Sequence, residues 1–419
     1  MPEDLHPPWN DAGCGPLVVA PLTAQTPLKQ QIFECVRAAG SIPRVEVARQ
    51  IGVSPASVTS AVQDLISAGL VEEIETRPRD GHRGRPPVAL SVRGESGFVV
   101  GLKLSDETHS AVVLDLAGRI RGEATLGSTQ RMRETEILIG EAADLLRDAL
   151  VSAGATLDDV RSVGIGLPGS VDHASGWVYW SPILSDEDVD FRARAAKALG
   201  TEVTIDNDAN VVTLAELWFG AGRQKSDFAV VTIEHGVGMG MVIDHALYRG
   251  AHGLAMELGH IKVQLDGALC RCGQRGCLEA YLADYALVRE ASTALNWEPA
   301  ARRSGPILLE SLFDEAKAGN EAARMIFRRA GRFLAVALAN VSNLFDPSLI
   351  ILSGERMRYD YLYAETVISE MRSLSLNRSG NAPEIEINAW GGLVWARGAG
   401  AMALSDSTAS VVMGVAAPE

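Results

Sequence analysis

Glu257-Leu258-Gly259-His260 is followed, nine residues on, by Cys270-Arg271-Cys272-Gly273-Gln274-Arg275-Gly276-Cys277-Leu278-Glu279. One imidazole and three thiolates within eighteen residues supply the four ligands of a closed tetrahedral site. Gly273 and Gly276 permit the tight turns between them. A catalytic metal keeps one position open, whereas His260, Cys270, Cys272 and Cys277 fill all four, so a structural Zn2+ is expected. The chain holds five cysteines, an odd number, and the crowding of three of them favours metal over disulfides in a reducing compartment. Metal binding there would also fix Glu257 and Glu279, which flank the loop.

The rest of the chain sets this loop in context. Its 419 residues exceed one ordinary core and suit two or three domains. With 47% hydrophobic and 22% charged residues it reads as a globular protein of the cytoplasm. No run approaches the roughly 18 apolar residues that span a membrane. The first ten residues mix acids and prolines, unlike a secretory signal. Residues 1–26, rich in Pro, Gly and Thr, are expected to form a flexible arm. From Phe98 onward, strands alternate with helices in two related sets, residues 94–220 and 221–419, with the zinc loop 257–279 in the second. Such halves leave a cleft where ligands bind.

Residues 27–93 read differently. Ile32, Phe33, Val36 and Ala39 lie at helical spacing up to a stop at Gly40, and a second helix covers Arg44 to Ile51. After the Gly52-Val53-Ser54 turn, Ser54 caps a third helix that places Pro55, Ser57, Thr59, Ser60 and Gln63 where a helix-turn-helix reads the major groove. Two short strands then flank Arg83-Gly84-Arg85-Pro86, a compact basic wing suited to a narrow minor groove. The spacing alone also fits a small protein-contact domain, and the wing alone a solvated loop; their succession favours double-stranded DNA. The net charge of −15 would repel DNA, yet this segment holds nine Lys/Arg against seven Asp/Glu.

Taken together these residues resemble the ROK family, and within it the repressors. The likeness rests on the Glu-x-Gly-His and Cys-x-Cys-Gly-x-x-Gly-Cys-x-Glu segments. It is supported by Gly164-Ile165-Gly166-Leu167-Pro168-Gly169, Asp206-Asn207-Asp208-Ala209-Asn210 and Asp346-Pro347. The resemblance implies an α/β chain: a winged helix-turn-helix followed by a two-lobed actin- and hexokinase-like domain built of ribonuclease-H-like halves. It also implies assembly as dimers or higher homo-oligomers. Carried over residue by residue, it makes Asn207, Asp208, Glu257, His260 and Glu279 ligands of a small carbohydrate.

Family kinases carry Asp-x-Gly-Gly-Thr after the first strand and Gly-Thr-Gly in the second lobe, because bare amides cradle phosphates. Here Lys103-Leu104-Ser105-Asp106-Glu107 and Glu234-His235-Gly236 replace them, and Ser353-Gly354-Glu355 alters a third segment. Each added carboxylate would repel a phosphate charge by about 3 kcal/mol at about 5 Å and an effective dielectric near about 20. ATP binding should fail, which leaves Asp208, the general base of the kinases, as an effector ligand. Ile183 and Met256 stand where sugar-binding relatives show Asn and Gly, which reduces polarity and room. The expectation is a sugar-controlled repressor without enzymatic activity. The alternatives are an active sugar kinase bearing a DNA-binding domain and a ligand-independent DNA-binding protein.

Overall fold

Apolar residues at helical spacing and three stop signals build the head. The computed structural model describes residues 13–17, 26–75, 88–128, 131–295, 305–354, 357, 365–376, 382–388 and 391–414. The helix Leu28–Ala39 buries Ile32, Phe33 and Val36 and ends where Gly40 takes a φ of 70°. Arg44–Ile51 follows, then Pro55–Ser67, whose cap Ser54 accepts the Ser57 N–H. Val58, Ala61, Val62 and Leu65 turn inward. Strands Val71–Glu75 and Val88–Val92 pair antiparallel, and Ile42–Pro43 adds a third. Arg83 and Arg85, with the expected wing tip, lie outside the described residues.

The body contains two five-stranded sheets with the same connectivity. In the first, Val203–Asn207, Val160–Leu167, Phe98–Lys103, Thr108–Asp115 and Ile120–Gly127 are neighbours in that order. In the second the order is Glu384–Asn388, Leu349–Ser353, Phe228–Ile233, Val237–Ile243, Ala246–Leu247. Each sheet joins a three-stranded meander to two parallel strands, the duplicated arrangement expected of ribonuclease-H-like lobes. Between the sheets lies the helix Asp208–Phe219, packed on strands of both. Nearly every residue of this helix is buried, which explains why it carries no amphipathic signature. No helix among the described residues is long and apolar enough to cross a membrane.

Two features differ from the expected organisation. The C-terminal helix Val394–Met413, assigned by position to the second lobe, packs against the first-lobe strands and against Asp208–Phe219. The reason is steric. A Cβ on Gly101 would lie 1.9 Å from the Ala396 carbonyl oxygen, and one on Gly164 would lie 2.0 Å from that of Ala399. Only bare strand backbone lets the helix come this close.

The second difference concerns the arm. Residues 13–17 are pinned between head and body instead of hanging loose. Cys14 N–H donates to Arg37 O, Gly15 N–H to Trp218 O and Leu17 N–H to Arg223 O. Arg223 in turn donates to Gly15 O and Ala38 O at 2.9 and 2.6 Å. Arg37 is buried, stacks on Trp218 at 4.6 Å and donates to Thr408 Oγ1 at 2.8 Å. A desolvated cation over an indole contributes on the order of 2 kcal/mol, so this joint resists independent motion of the head.

Gly101→Val should therefore cost about 3 kcal/mol or more of unfolding free energy in urea titration. Gly127→Val, with no atom within 4 Å of the added carbon, should cost far less. Equal losses would refute the close-contact account.

Candidate functional site

Asn207 ends the last parallel strand of the first lobe and Asp208 opens the helix behind it. Asn207 Oδ1 caps that helix by accepting the Ala209 N–H at 2.8 Å, and its Nδ2 donates to Gly169 O at 2.8 Å. The side chain thus combines a helix cap with one remaining N–H. Asp208 is enclosed; burial pushes its carboxyl above the usual carboxylate range, and the Lys103 charge pulls it back. Lys103 Nζ itself sits 3.8 Å above the Trp395 ring. Next door, Asp206 Oδ1 accepts from Asn210 while Oδ2 accepts from Arg249 of the second lobe at 2.7 Å.

The second lobe contributes Glu257, His260 and Glu279. Burial raises the Glu257 carboxyl, His260 lowers it, and Asp208 and Glu279 raise it further, so the four groups lie within electrostatic reach. Glu279 accepts from Tyr285 Oη at 3.4 Å and from the Val237 N–H at 3.4 Å. The three carboxylates Asp208, Glu257 and Glu279 offer paired acceptors of the kind polyol hydroxyls require. Ile183 is buried in the first-lobe core. Met256 takes a φ of 69°, a left-handed conformation natural to glycine, and packs against the second-lobe core.

Beneath Glu257, the donor atoms of His260, Cys270, Cys272 and Cys277 all lie within 4.8 Å of one another. Cys272 and Cys277 sulfurs are 3.7 Å apart, and Cys270 Sγ is 3.8 Å from His260 Nδ1. Metal–sulfur bonds of about 2.3 Å in a tetrahedron give edges of about 3.8 Å, so the group fits a metal ion. Gly273 and Gly276 adopt φ of 83° and 78°, the turns that close the loop. Lys262 Nζ lies 2.9 Å from Cys277 Sγ, placed to offset the net negative charge that three thiolates would leave around a bound divalent metal.

In the head, Ser57, Thr59, Ser60 and Gln63 are exposed along one helix, with Pro55 in its first turn. The Thr59 hydroxyl donates back to Pro55 O at 2.8 Å, and Ser57 shares a hydrogen bond with Ser54. Each hydroxyl keeps acceptor capacity toward solvent.

A model of the ROK family matches residues 99–405 and one of winged helix-turn-helix DNA-binding matches residues 25–72. The chain belongs to the ROK family. A xylose repressor of Caldicellulosiruptor bescii is 27% identical over 333 residues, covering 77% of this chain and 82% of that protein. The crystal structure of a ROK family transcriptional regulator, a homologue of the E. coli MLC protein, superposes with a TM-score of 0.77 at 25% identity. It covers 92% of this chain and 98% of its own. A ROK glucokinase from Streptomyces griseus, solved with glucose and AMPPNP, gives 0.63 at 28% identity and covers 73% of this chain and 99% of its own.

The segments that contain Glu107 and His235 form a charged contact across the cleft. His235 Nδ1 lies 3.2 Å from Asp284 of its own lobe, and Nε2 lies 3.7 Å from Glu107 of the other. The Asp284 hydrogen bond, with Asp106 and Glu107, raises the His235 pKa above its ordinary value. The segment containing His235 stands out in the sequence only as a lost glycine motif; its partner acids are distant in the chain. The same holds for the Arg249–Asp206 bridge, for Lys103 over Trp395 and for Arg37 over Trp218.

Two outcomes follow. Cys272→Ser should lower bound metal below one per chain by elemental analysis and reduce the melting temperature; full stability without metal would remove the structural role. For His235 the charged form is the favoured one in the fold. Its contribution is complete below the ordinary histidine pKa of about 6.5 and fades as pH rises through the raised value. The melting-temperature gap between the parent and His235→Gln should therefore be widest in acid and close toward alkaline pH. A gap that ignores pH would contradict the clasp.

Proposed function

We propose that this chain is a transcriptional repressor of carbohydrate-metabolism genes whose hold on operator DNA is set by a small sugar bound between the lobes. One observation carries the reading. The helix Asp208–Phe219 begins at a candidate sugar ligand and carries in its last turn, about 15 Å away by helical rise, Trp218, on which Arg37 of the head stacks. Any shift of this helix on sugar binding is felt at the joint, and a ligand that favours one arrangement changes DNA affinity accordingly.

In this reading Asn207, Asp208, Glu257, His260 and Glu279 take the sugar hydroxyls. Pro55, Ser57, Thr59, Ser60 and Gln63 face the major groove, and Arg83 and Arg85 of the wing reach the minor groove. Zinc at His260, Cys270, Cys272 and Cys277 is structural and stiffens the wall that carries Glu257 and Glu279. A homodimer would bridge two operator half-sites. Catalysis is not part of the reading, because Asp106, Glu107 and Glu234 take the place of the bare glycine segments that the family resemblance assigns to phosphate binding. Two features favour a sugar kinase: the likeness to the ROK glucokinase and the survival of Asp208, the position of the family's base.

Fluorescence anisotropy on genomic operator fragments, with a sugar panel and thermal shifts in parallel, tests the proposal. A stabilising sugar should change DNA affinity about fivefold or more. Trp218→Ala should still bind that sugar while losing most of the change. Operator binding indifferent to every stabilising sugar, or sugar phosphate formed from ATP, would overturn the reading.

A further inference from the structure

Among the described residues, the exposed aromatic side chains that the core leaves out are Trp177, Tyr179, Trp180 and Tyr248. Three of the four occupy one four-residue strand, Trp177–Trp180, and Trp180 is 51% exposed. Large aromatic rings left in water in a cluster mark a binding surface. The strand is the middle one of a small sheet, between Ser170–Asp172 and Val189–Asp190. Strict alternation would turn Trp180 to the same side as buried Val178. Instead Ser170 pairs with Trp180 and Val171 with Val178, so Tyr179 is an extra residue. Such a bulge re-aims side chains, and Trp177, Tyr179 and Trp180 all reach solvent while Val178 stays in the core.

The strand also lies beside the candidate sugar site. The Trp180 carbonyl packs on Gly169, where a Cβ would come within 2.3 Å of it, and Gly169 O accepts from Asn207. Ser181 Oγ donates to Pro168 O at 2.6 Å. On the other side, Gly253, four residues before Glu257, backs onto Asp172 with a Cβ-to-Cα approach of 3.1 Å. The aromatic ribbon thus joins the two walls that carry Asn207 and Glu257.

We infer that Trp177, Tyr179 and Trp180 form a second subsite, which stacks on a further sugar ring of an oligosaccharide or glycoside effector. The inference rests on the reading of Asn207 and Asp208 as sugar ligands. A pyranose presents an apolar C–H face and a polar rim, matched by rings that are apolar in the body and carry an N–H or O–H at the edge. An added protein strand fits less well, because the central strand already has neighbours on both sides.

Calorimetric titration of the full chain with mono-, di- and trisaccharides of glucose and xylose, with tryptophan fluorescence, tests this. For the series that binds, the disaccharide should bind at least about tenfold more tightly than its monosaccharide and shift the emission. Trp177→Ala and, separately, Tyr179→Ala should bring that ratio toward one; Trp177→Phe should keep most of it and controls for folding. Equal affinities at all lengths, or an unchanged ratio in both alanine variants, would overturn the subsite while leaving the Asn207/Asp208 reading intact. If no sugar of any length binds, both fall. If the alanine variants instead dissociate an oligomer with no change in the ratio, the ribbon is a contact between copies, which also overturns the subsite.

Discussion

The body depends on backbone meeting backbone without side chains between. Gly101 and Gly164 lie in adjacent strands of the first sheet, and the carbonyls of Ala396 and Ala399 occupy the space their side chains would need. On the other flank a Cβ on Gly398 would strike the Val211 carbonyl at 1.7 Å. The C-terminal helix is thereby locked against the first sheet and against Asp208–Phe219 at once. Dense contact of this kind is nearly incompressible, so displacement of one helix is passed to the next instead of being absorbed.

That stiffness gives the position of Asp208 its meaning. A partly buried carboxylate that feels the charges of Lys103 and Glu257 is sensitive to whatever enters the cleft, and its helix cannot bend freely to accommodate the change. At the far end Trp218 faces Arg37, a buried cation whose burial opposes its charge and whose ring contacts compensate. Residues 13–17 close the same joint through main-chain hydrogen bonds, so head and body share one core cluster.

Charge also bridges the cleft. His235 of the second lobe faces Asp106 and Glu107 of the first, and each acid attracts its protonated ring. These attractions act between the lobes and are strongest while His235 is protonated. A metal held by the four donors of one short segment would add rigidity to the wall that carries Glu257 and Glu279.

Much of this was legible in the chain alone where the signal is local. The Cys-x-Cys and Gly spacing named the metal group, Ser54-Pro55 and Gly40 marked helix ends, and the strand–helix alternation announced two related lobes, because ligand spacing, capping and periodicity act over a few residues. The candidate sugar ligands were legible only through resemblance, since Asn207 on its own reads as a helix cap, and it does cap a helix. Other features were decided by the tertiary structure. The C-terminal helix joins the first lobe, residues 13–17 are bound and not loose, Met256 adopts a left-handed turn, and His235, Arg37 and Arg249 find partners far along the chain. These depend on which surfaces fit at close range and which charges burial brings together, and no window of sequence contains both sides of such a contact.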